Sequence, residues 1–302
     1  MSTAAIVLVL FSALIHAGWN LLGKRDGAEG AFYLVACLAG GAALLPVVLA
    51  WSAAVARMPP AVWALLVPAG MFQALYFVGL AGSYRTGDLS VAYPVARAVP
   101  VVLVPLLSTL LRQGEPLSPP AVAGMVAVAA GLLVIPQHRL LKVSAAQLRS
   151  SWMRYAVLAG IGTAGYSLVD DAALALFRAA LTSGPAAVQA AVIYSAFESF
   201  STAVFLLAFG ALRLGAAALR RSLRDTQYRS AAIAGVAIVA AYCLVLAAYG
   251  FARNVAYVVA FRQVSLPLGA MFGVVFLGER MSPARFAGAA LIVGGLILVG
   301  LG

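Results

Sequence analysis

The sequence GEPLSP (Gly114–Pro119) returns as GERMSP (Gly278–Pro283) after a shift of 164 positions. The same shift aligns VAYPVA (Val91–Ala96) with VAYVVA (Val255–Ala260). In both copies an apolar segment with one arginine precedes the Gly-Glu turn, and a second apolar segment follows it. Similarity at a fixed shift indicates duplicated structural units. The sequence therefore predicts a chain built from two related halves.

The composition is that of an integral membrane protein. Of the 302 residues, 64% are hydrophobic and only 10% are charged, with a mean hydropathy of +1.02. One soluble core cannot cover so much apolar surface. The net charge of +11 comes from basic residues between apolar stretches, which indicates topology signals and contact with anionic lipid rather than a nucleic-acid partner. We predict a multi-pass protein of a cell (inner) membrane.

Ten stretches of the chain are long and apolar enough to span a bilayer. The first apolar run, Ala4–Leu14, lacks the basic flank of a signal peptide and continues to Lys24, so we interpret it as the first span. The ten predicted spans are residues 4–23, 30–51, 61–83, 88–111, 118–136, 152–173, 185–209, 230–250, 254–277 and 283–301.

A loop in the middle of the chain divides these spans into two sets of five. HAGWN (His16–Asn20) in the first span resembles TAGYS (Thr163–Ser167) in the sixth, which supports the division. An odd number of spans in each half gives the halves opposite orientations, as in many secondary transporters. We predict an all-α fold of ten transmembrane helices in two inverted five-helix repeats, with the first repeat at 1–136, a linker at 137–151 and the second repeat at 152–302.

The lysines and arginines of the loops predict the orientation in the membrane. If the N-terminus lies outside, most of the basic loop residues are cytoplasmic, including the long basic segment Arg213–Arg229. The positive-inside rule therefore favours both termini outside.

Four ionisable residues lie deep in the predicted spans, namely His16, Arg97, Glu198 and Arg262. Charge is costly there and marks functional sites. Arg97 and Arg262 have similar depths in the fourth and ninth spans, so pseudo-symmetry would bring them to facing positions. Two guanidinium groups can hold a carboxylate or phosphate through bidentate hydrogen bonds. In the structural alternative, Glu198 pairs with one arginine and locks the helices together.

Polar and aromatic side chains at helical spacing predict a shared internal cavity. In the first span Ser12, His16, Asn20 and Lys24 follow one another at intervals of four, and the sixth span has a similar stripe that includes Asp170. Lipid cannot satisfy such groups, although an isolated hydroxyl can bond back to its own helix. The predicted substrate-binding residues are His16, Trp19, Asn20, Gln73, Tyr76, Tyr93, Arg97, Tyr166, Glu198, Tyr257 and Arg262.

Two glycines of the fifth span, Gly124 and Gly131, correspond to Gly288 and Gly295 of the tenth. A spacing of seven keeps them on one helix face, which predicts close helix packing or a homodimer contact. We leave open whether the protein is a monomer or a homodimer.

The sequence contains no HExxH motif, nucleophile elbow, Walker motif or cluster of metal ligands. We therefore predict that the protein is not an enzyme and needs no cofactor or metal. Without a nucleotide site, transport would be driven by ion coupling, with the proton as a candidate, by exchange or by the substrate gradient. Cys37 and Cys243 are expected to be buried thiols.

The duplicated halves, the VAYP…AR pattern of Val91–Arg97, the two Gly-Glu turns and the SALIHAGWNLLGK stretch (Ser12–Lys24) resemble the EamA branch of the drug/metabolite transporter superfamily. The resemblance covers two units of about 4–136 and 153–301. It implies ten helices, a central cavity and transport of small metabolites such as amino acids, amines or nucleotide-related compounds. Members of this family are often drawn with cytoplasmic termini, whereas the loop charges here favour outside termini.

The expected function is secondary transport, by alternating access, of a small anionic or zwitterionic, amino-acid-like metabolite. Glu198 or His16 is the candidate proton-linked group. One alternative is an exporter of cationic or aromatic amines that binds the cation in an aromatic cage of Trp19, Tyr76, Tyr93, Tyr166 and Tyr257. A non-transporting membrane protein is the alternative from another class.

Overall fold

The computed structural model describes residues 1–26, 30–86, 89–135, 150–182, 184–268, 271 and 282–302. Regular secondary structure within these residues is entirely helical, which confirms the predicted all-α class. The α-helices are α1 (Thr3–Asp26), α2 (Gly30–Ala50), α3 (Ser52–Val55), α4 (Pro60–Thr86), α5 (Leu89–Leu110), α6 (Pro119–Val134), α7 (Ser151–Ala180), α8 (Ala186–Leu214), α9 (Ala216–Asp225), α10 (Tyr228–Tyr249), α11 (Val255–Phe261) and α12 (Pro283–Leu301).

Five of these helices, α2, α4, α8, α10 and α12, are long and apolar enough to cross a membrane. Shorter apolar helical stretches cover Thr3–His16, Pro94–Leu110, Pro119–Val134 and Val255–Leu268. These lengths and compositions fit a multi-pass membrane protein. Each predicted span overlaps a helix in its described part. Residues 269, 270 and 272–277 of the ninth span, and residues 137–149 of the predicted linker at 137–151, lie outside the described residues.

The main helix contacts join the two halves of the chain. Helix α4 of the first half packs along α7 of the second half, and α10 of the second half packs along α1 of the first half. The sequence repeat relates α1 to α7 and α4 to α10, so these two contacts are counterparts of each other. In addition, α2 packs on α8, and α6 packs on α12. Both of these contacts join corresponding helices of the two halves.

The corresponding glycines bring α6 and α12 into backbone contact. A Cβ atom on Gly131 would lie 2.6 Å from the carbonyl oxygen of Gly288, and one on Gly295 would lie 2.6 Å from that of Gly124. Real Cβ atoms do not approach an oxygen so closely, so only glycine allows this spacing. The predicted close packing is confirmed, and it lies within one chain.

The repeated turn motifs supply the starts of α6 and α12. The Ser118 side chain accepts a hydrogen bond from the backbone N–H of Ala121 at 3.3 Å, and Ser282 accepts one from Arg285 at 3.2 Å. Proline follows each serine at the first helical position, where no backbone N–H is needed. The same Ser-Pro chemistry therefore starts the last helix of each half.

Candidate functional site

A cavity gathers polar and aromatic side chains from α1, α4, α7 and α10 and from the turn after α11. Its lining includes six of the predicted binding residues, together with six side chains that were not predicted to bind substrate. The lining residues are Ser12, His16, Trp19, Gln73, Tyr76, Phe77, Tyr166, Ile238, Ala241, Tyr242, Val245 and Arg262.

Arg262 stands where the ninth helical stretch changes its geometry. The α-helix α11 ends at Phe261, a 3₁₀ turn covers Arg262–Val264, and helical structure resumes to Leu268. Side chains satisfy carbonyl groups at this break, because Gln263 Nε2 donates to Val259 O at 2.9 Å and Ser265 Oγ donates to Arg262 O at 3.0 Å. Such a break is tolerated at membrane depth where it borders a cavity.

The guanidinium group of Arg262 lies among three tyrosines, Tyr166, Tyr242 and Tyr249, with which it interacts electrostatically. Its Nη1 atom is buried and has no hydrogen-bond partner among the described residues. A buried donor without a partner costs free energy, which an acceptor on a ligand would recover. Arg262 is therefore positioned to bind an anionic group in the cavity.

Aromatic rings form a continuous wall of the cavity. The ring of Tyr166 contacts Tyr76 edge-to-face at a centroid distance of 6.0 Å and Tyr242 at 5.7 Å. Near them, Trp19 Nε1 donates a hydrogen bond to His16 Nδ1 at 3.2 Å. Edge-to-face packing is a favourable arrangement of aromatic rings, so these contacts fix the rings of the wall relative to one another.

Asp170 lies behind this wall and is fully buried. Its carboxylate accepts hydrogen bonds from the hydroxyl of Tyr194, at 3.0 Å, and from the hydroxyl of Tyr242. Tyr242 thus links the acid to the cavity, and Arg262 interacts electrostatically with Asp170. Neither Asp170 nor Tyr242 was in the predicted set. The repeat carries a signal for Tyr242, because it lies on α10 as Tyr76 lies on the corresponding helix α4.

Glu198 of α8 is 1% exposed but does not line the cavity. Neither carboxylate oxygen has a hydrogen-bond partner among the described residues, and Asp170 is its acidic neighbour. Within the described part of the chain no salt bridge from Glu198 is present, so the structural alternative considered from the sequence is not supported there. Glu198 instead faces Cys37, which is buried as predicted, and Cys243, which is half-buried.

Of the remaining predicted binding residues with described side chains, one lines the cavity and two are buried outside its lining. Gln73 lines the cavity and accepts a hydrogen bond from Thr202 at 2.7 Å. Arg97 is buried on α5 outside the cavity lining, and both Arg97 and Arg262 interact electrostatically with His16. Tyr257 is 3% exposed and packs in the apolar core instead of the cavity. The side chains of Asn20 and Tyr93 lie outside the described residues.

Comparison with known proteins bears on the fold. No protein-family model and no curated protein matches the chain. The chain is similar to a solved structure described as "Crystal structure of protein", with 21% identity, coverage of 100% of this chain and 99% of that chain, and a TM-score of 0.68. At this level of identity the similarity shows the fold alone, which the two proteins share over their whole length.

Proposed function

We propose that the protein is a secondary transporter, with ten transmembrane helices in two inverted five-helix repeats, in a cell (inner) membrane. Its substrate is a small anionic or zwitterionic, amino-acid-like metabolite, which moves by alternating access through the central cavity. The observation that carries the proposal is Arg262, a half-buried arginine at a helix break that lines the cavity and whose buried Nη1 atom has no hydrogen-bond partner among the described residues. The sequence resemblance to the EamA branch agrees with this proposal.

The glycine contacts support the inverted repeat. The sequence repeat relates Gly124 to Gly288 and Gly131 to Gly295. A two-fold operation that exchanges the halves therefore converts the contact between Gly124 and Gly295 into the contact between Gly288 and Gly131. Both contacts are present. Reciprocal contacts of this kind are typical of a two-fold axis that passes between the two helices.

The charges around the cavity favour a zwitterion over a simple anion. Arg262 offers hydrogen bonds to a carboxylate. The faces of Tyr76 and Tyr166 can attract an ammonium group, and Asp170 adds negative charge behind Tyr242. The two signs of charge on one small ligand match an amino-acid-like substrate.

Uptake by purified protein in liposomes tests the proposal. Liposomes loaded with unlabelled zwitterionic amino acids should exchange them for labelled external substrate, whereas protein-free liposomes should not. Compounds that exchange should also raise the thermal stability of the protein, because they bind the folded state. Absence of both exchange and stabilisation across amino acids, phosphonates and amines would contradict a transport function.

The aromatic wall favours an exporter of cationic or aromatic amines as a second candidate. Trp19, Tyr76 and Tyr166, three members of the predicted cage, line the cavity, and Tyr242 adds a further ring. A cation held by these rings would not need Arg262. Stabilisation by quaternary amines but not by amino acids would favour this candidate.

Glu198 is proposed to carry the coupling proton. Among the described residues Glu198 interacts electrostatically with Asp170, Tyr194, Tyr242 and the two cysteines, and buried carboxylates near each other do not both stay ionised. We expect Glu198→Gln, which mimics the protonated acid, to abolish substrate accumulation driven by an imposed proton gradient while substrate exchange persists.

Asp225→Asn is the matched control for that experiment, because it removes one exposed carboxylate from α9. It should leave both exchange and proton-driven accumulation intact. Proton-driven accumulation by Glu198→Gln at the normal rate would show that another group, or another ion, couples transport.

A further inference from the structure

A second cavity lies at the end of the helix bundle where α4 and α8 end and α7 begins. It shares no lining residue with the central cavity. Its walls are largely apolar and include Leu34, Val78 and Phe209. Two arginines, Arg85 and Arg213, also line it, and both are exposed. We call this space the arginine groove.

The positive charge continues beside the groove. Arg213 and Tyr155 also line a neighbouring space that includes Arg154, whose guanidinium donates to Ser151 Oγ at 3.3 Å. No acidic side chain is among the described residues that line either space. Among the described residues no carboxylate accompanies these three guanidinium groups, so an anion from outside the chain would find an uncompensated positive edge here.

The short helix α9 forms one side of the groove. Its buried Leu219 lines the groove and packs over Gly210 of α8. The opposite surface of α9 carries three exposed arginines at 220, 221 and 224. Gly215, which has a φ of 78°, makes the turn between α8 and α9 in a conformation that favours glycine. An amphipathic helix with an arginine-rich outer face is typical of the membrane surface.

The groove also opens next to side chains that fit the lipid phase. Leu214 lines the groove and is 53% exposed, and Leu212 on the same turn of α8 is 84% exposed. Large apolar side chains are therefore exposed beside the arginines. An occupant that satisfies both surfaces needs an anionic group and an apolar chain.

We propose that the arginine groove binds an anionic phospholipid. The lipid phosphate contacts Arg85 and Arg213, and one acyl chain lies along Leu34, Val78 and Phe209. Basic pockets between helices bind anionic head groups in this way. A neutral lipid would leave the guanidinium groups without an anion, and a soluble anion would not cover the apolar wall. The loop charges place this end of the bundle on the cytoplasmic side, where anionic lipids are available.

The test measures lipids retained by the purified full-length protein with native mass spectrometry. Phosphatidylglycerol is the probe, phosphatidylcholine is its neutral counterpart, and inorganic phosphate is the soluble competitor. The double variant Arg85→Gln/Arg213→Gln should bind phosphatidylglycerol about tenfold or more weakly than the wild type. The unmodified protein should prefer phosphatidylglycerol to phosphatidylcholine and should retain it in millimolar phosphate.

Arg220→Gln/Arg224→Gln is the matched control, because it removes the same charge from exposed positions outside the groove lining. Phosphatidylglycerol binding by this variant should equal that of the wild type. Equal losses in both double variants would overturn the proposal in favour of diffuse surface charge. Equal retention of the two lipids, or displacement by phosphate, would also overturn it. If the double variant unfolds, the single substitutions Arg85→Gln and Arg213→Gln are used in its place for the comparison of lipid binding.

Discussion

Replacement of Arg262 by glutamine is expected to lower substrate exchange in liposomes by at least about thirtyfold, since a charge-assisted hydrogen bond in a desolvated site contributes about 2 kcal/mol or more. Arg262 lines the cavity, and its Nη1 atom has no partner among the described residues, so the ligand supplies the acceptor. The loss should appear in exchange itself and in thermal stabilisation by substrate, because both need binding. We expect this loss to be larger than that caused by any other single substitution in the cavity lining.

Three comparisons separate the binding role from a structural one. Arg262→Lys keeps the charge but loses the planar fork, and should retain only part of the activity. Arg57→Gln removes an exposed arginine that donates a hydrogen bond to Thr182. Neither residue lines the cavity, so this variant should leave substrate exchange unchanged. Arg97→Gln should have a smaller effect than Arg262→Gln, because Arg97 does not line the cavity.

Two outcomes would contradict the anion-binding role. Normal exchange by Arg262→Gln would show that the substrate does not contact the guanidinium group. Loss of exchange together with unchanged stabilisation by substrate would place Arg262 in the conformational change and outside the binding step. Equal losses for Arg97→Gln and Arg262→Gln would instead support the symmetric arginine pair that the sequence repeat suggests.

The helices of this fold are largely predictable because the bilayer restricts the choices. Long apolar segments in lipid form helices, since every backbone polar group needs an internal partner. The predicted span 118–136 accordingly agrees with α6 (Pro119–Val134), and 283–301 agrees with α12. The glycines of the repeat were also informative, because small residues seven apart have few uses other than close packing.

The sixth span shows why part of the site was missed. The prediction ended this span at residue 173 and placed Asp170 in its polar stripe, but not among the substrate-binding residues. The helix continues to Ala180, and Asp170 is fully buried beneath Tyr194 and Tyr242 from two other helices. Burial of this kind depends on tertiary partners, which helical spacing within one segment does not reveal.

The ninth span shows a second limit. Tyr257 and Arg262 lie on the same helical stretch, yet Arg262 lines the cavity and Tyr257 packs in the core. Five residues of α-helix rotate by about 500°, so these two side chains already point about 140° apart. The 3₁₀ turn that begins at Arg262 then changes the rotation for the residues after it. A prediction that assumes one continuous helix cannot assign the faces correctly on both sides of such a break.

The largest stability effect is expected from Gly295→Ala. A Cβ atom there would lie 2.6 Å from the carbonyl oxygen of Gly124 and 2.8 Å from a methyl group of Val128, so α6 and α12 must separate. Overpacking of this kind costs about 1–3 kcal/mol of the free energy of unfolding. The neighbouring Gly294 has no atom within 4 Å of its Cβ position. Gly294→Ala should therefore be neutral or stabilising, by up to about 1 kcal/mol, through helix propensity.

Thermal unfolding in detergent compares the two alanine variants, which differ by one position on one helix. Gly131→Ala, at the second reciprocal contact, should lower the free energy of unfolding by a similar amount. The two contacts are seven residues, or about 10 Å, apart along the helix, so the double variant should show nearly additive losses. Equal stability of the 294 and 295 variants would contradict the close packing. If the glycines instead formed a homodimer contact, the loss would diminish with increasing protein concentration, whereas packing within one chain predicts a loss independent of concentration.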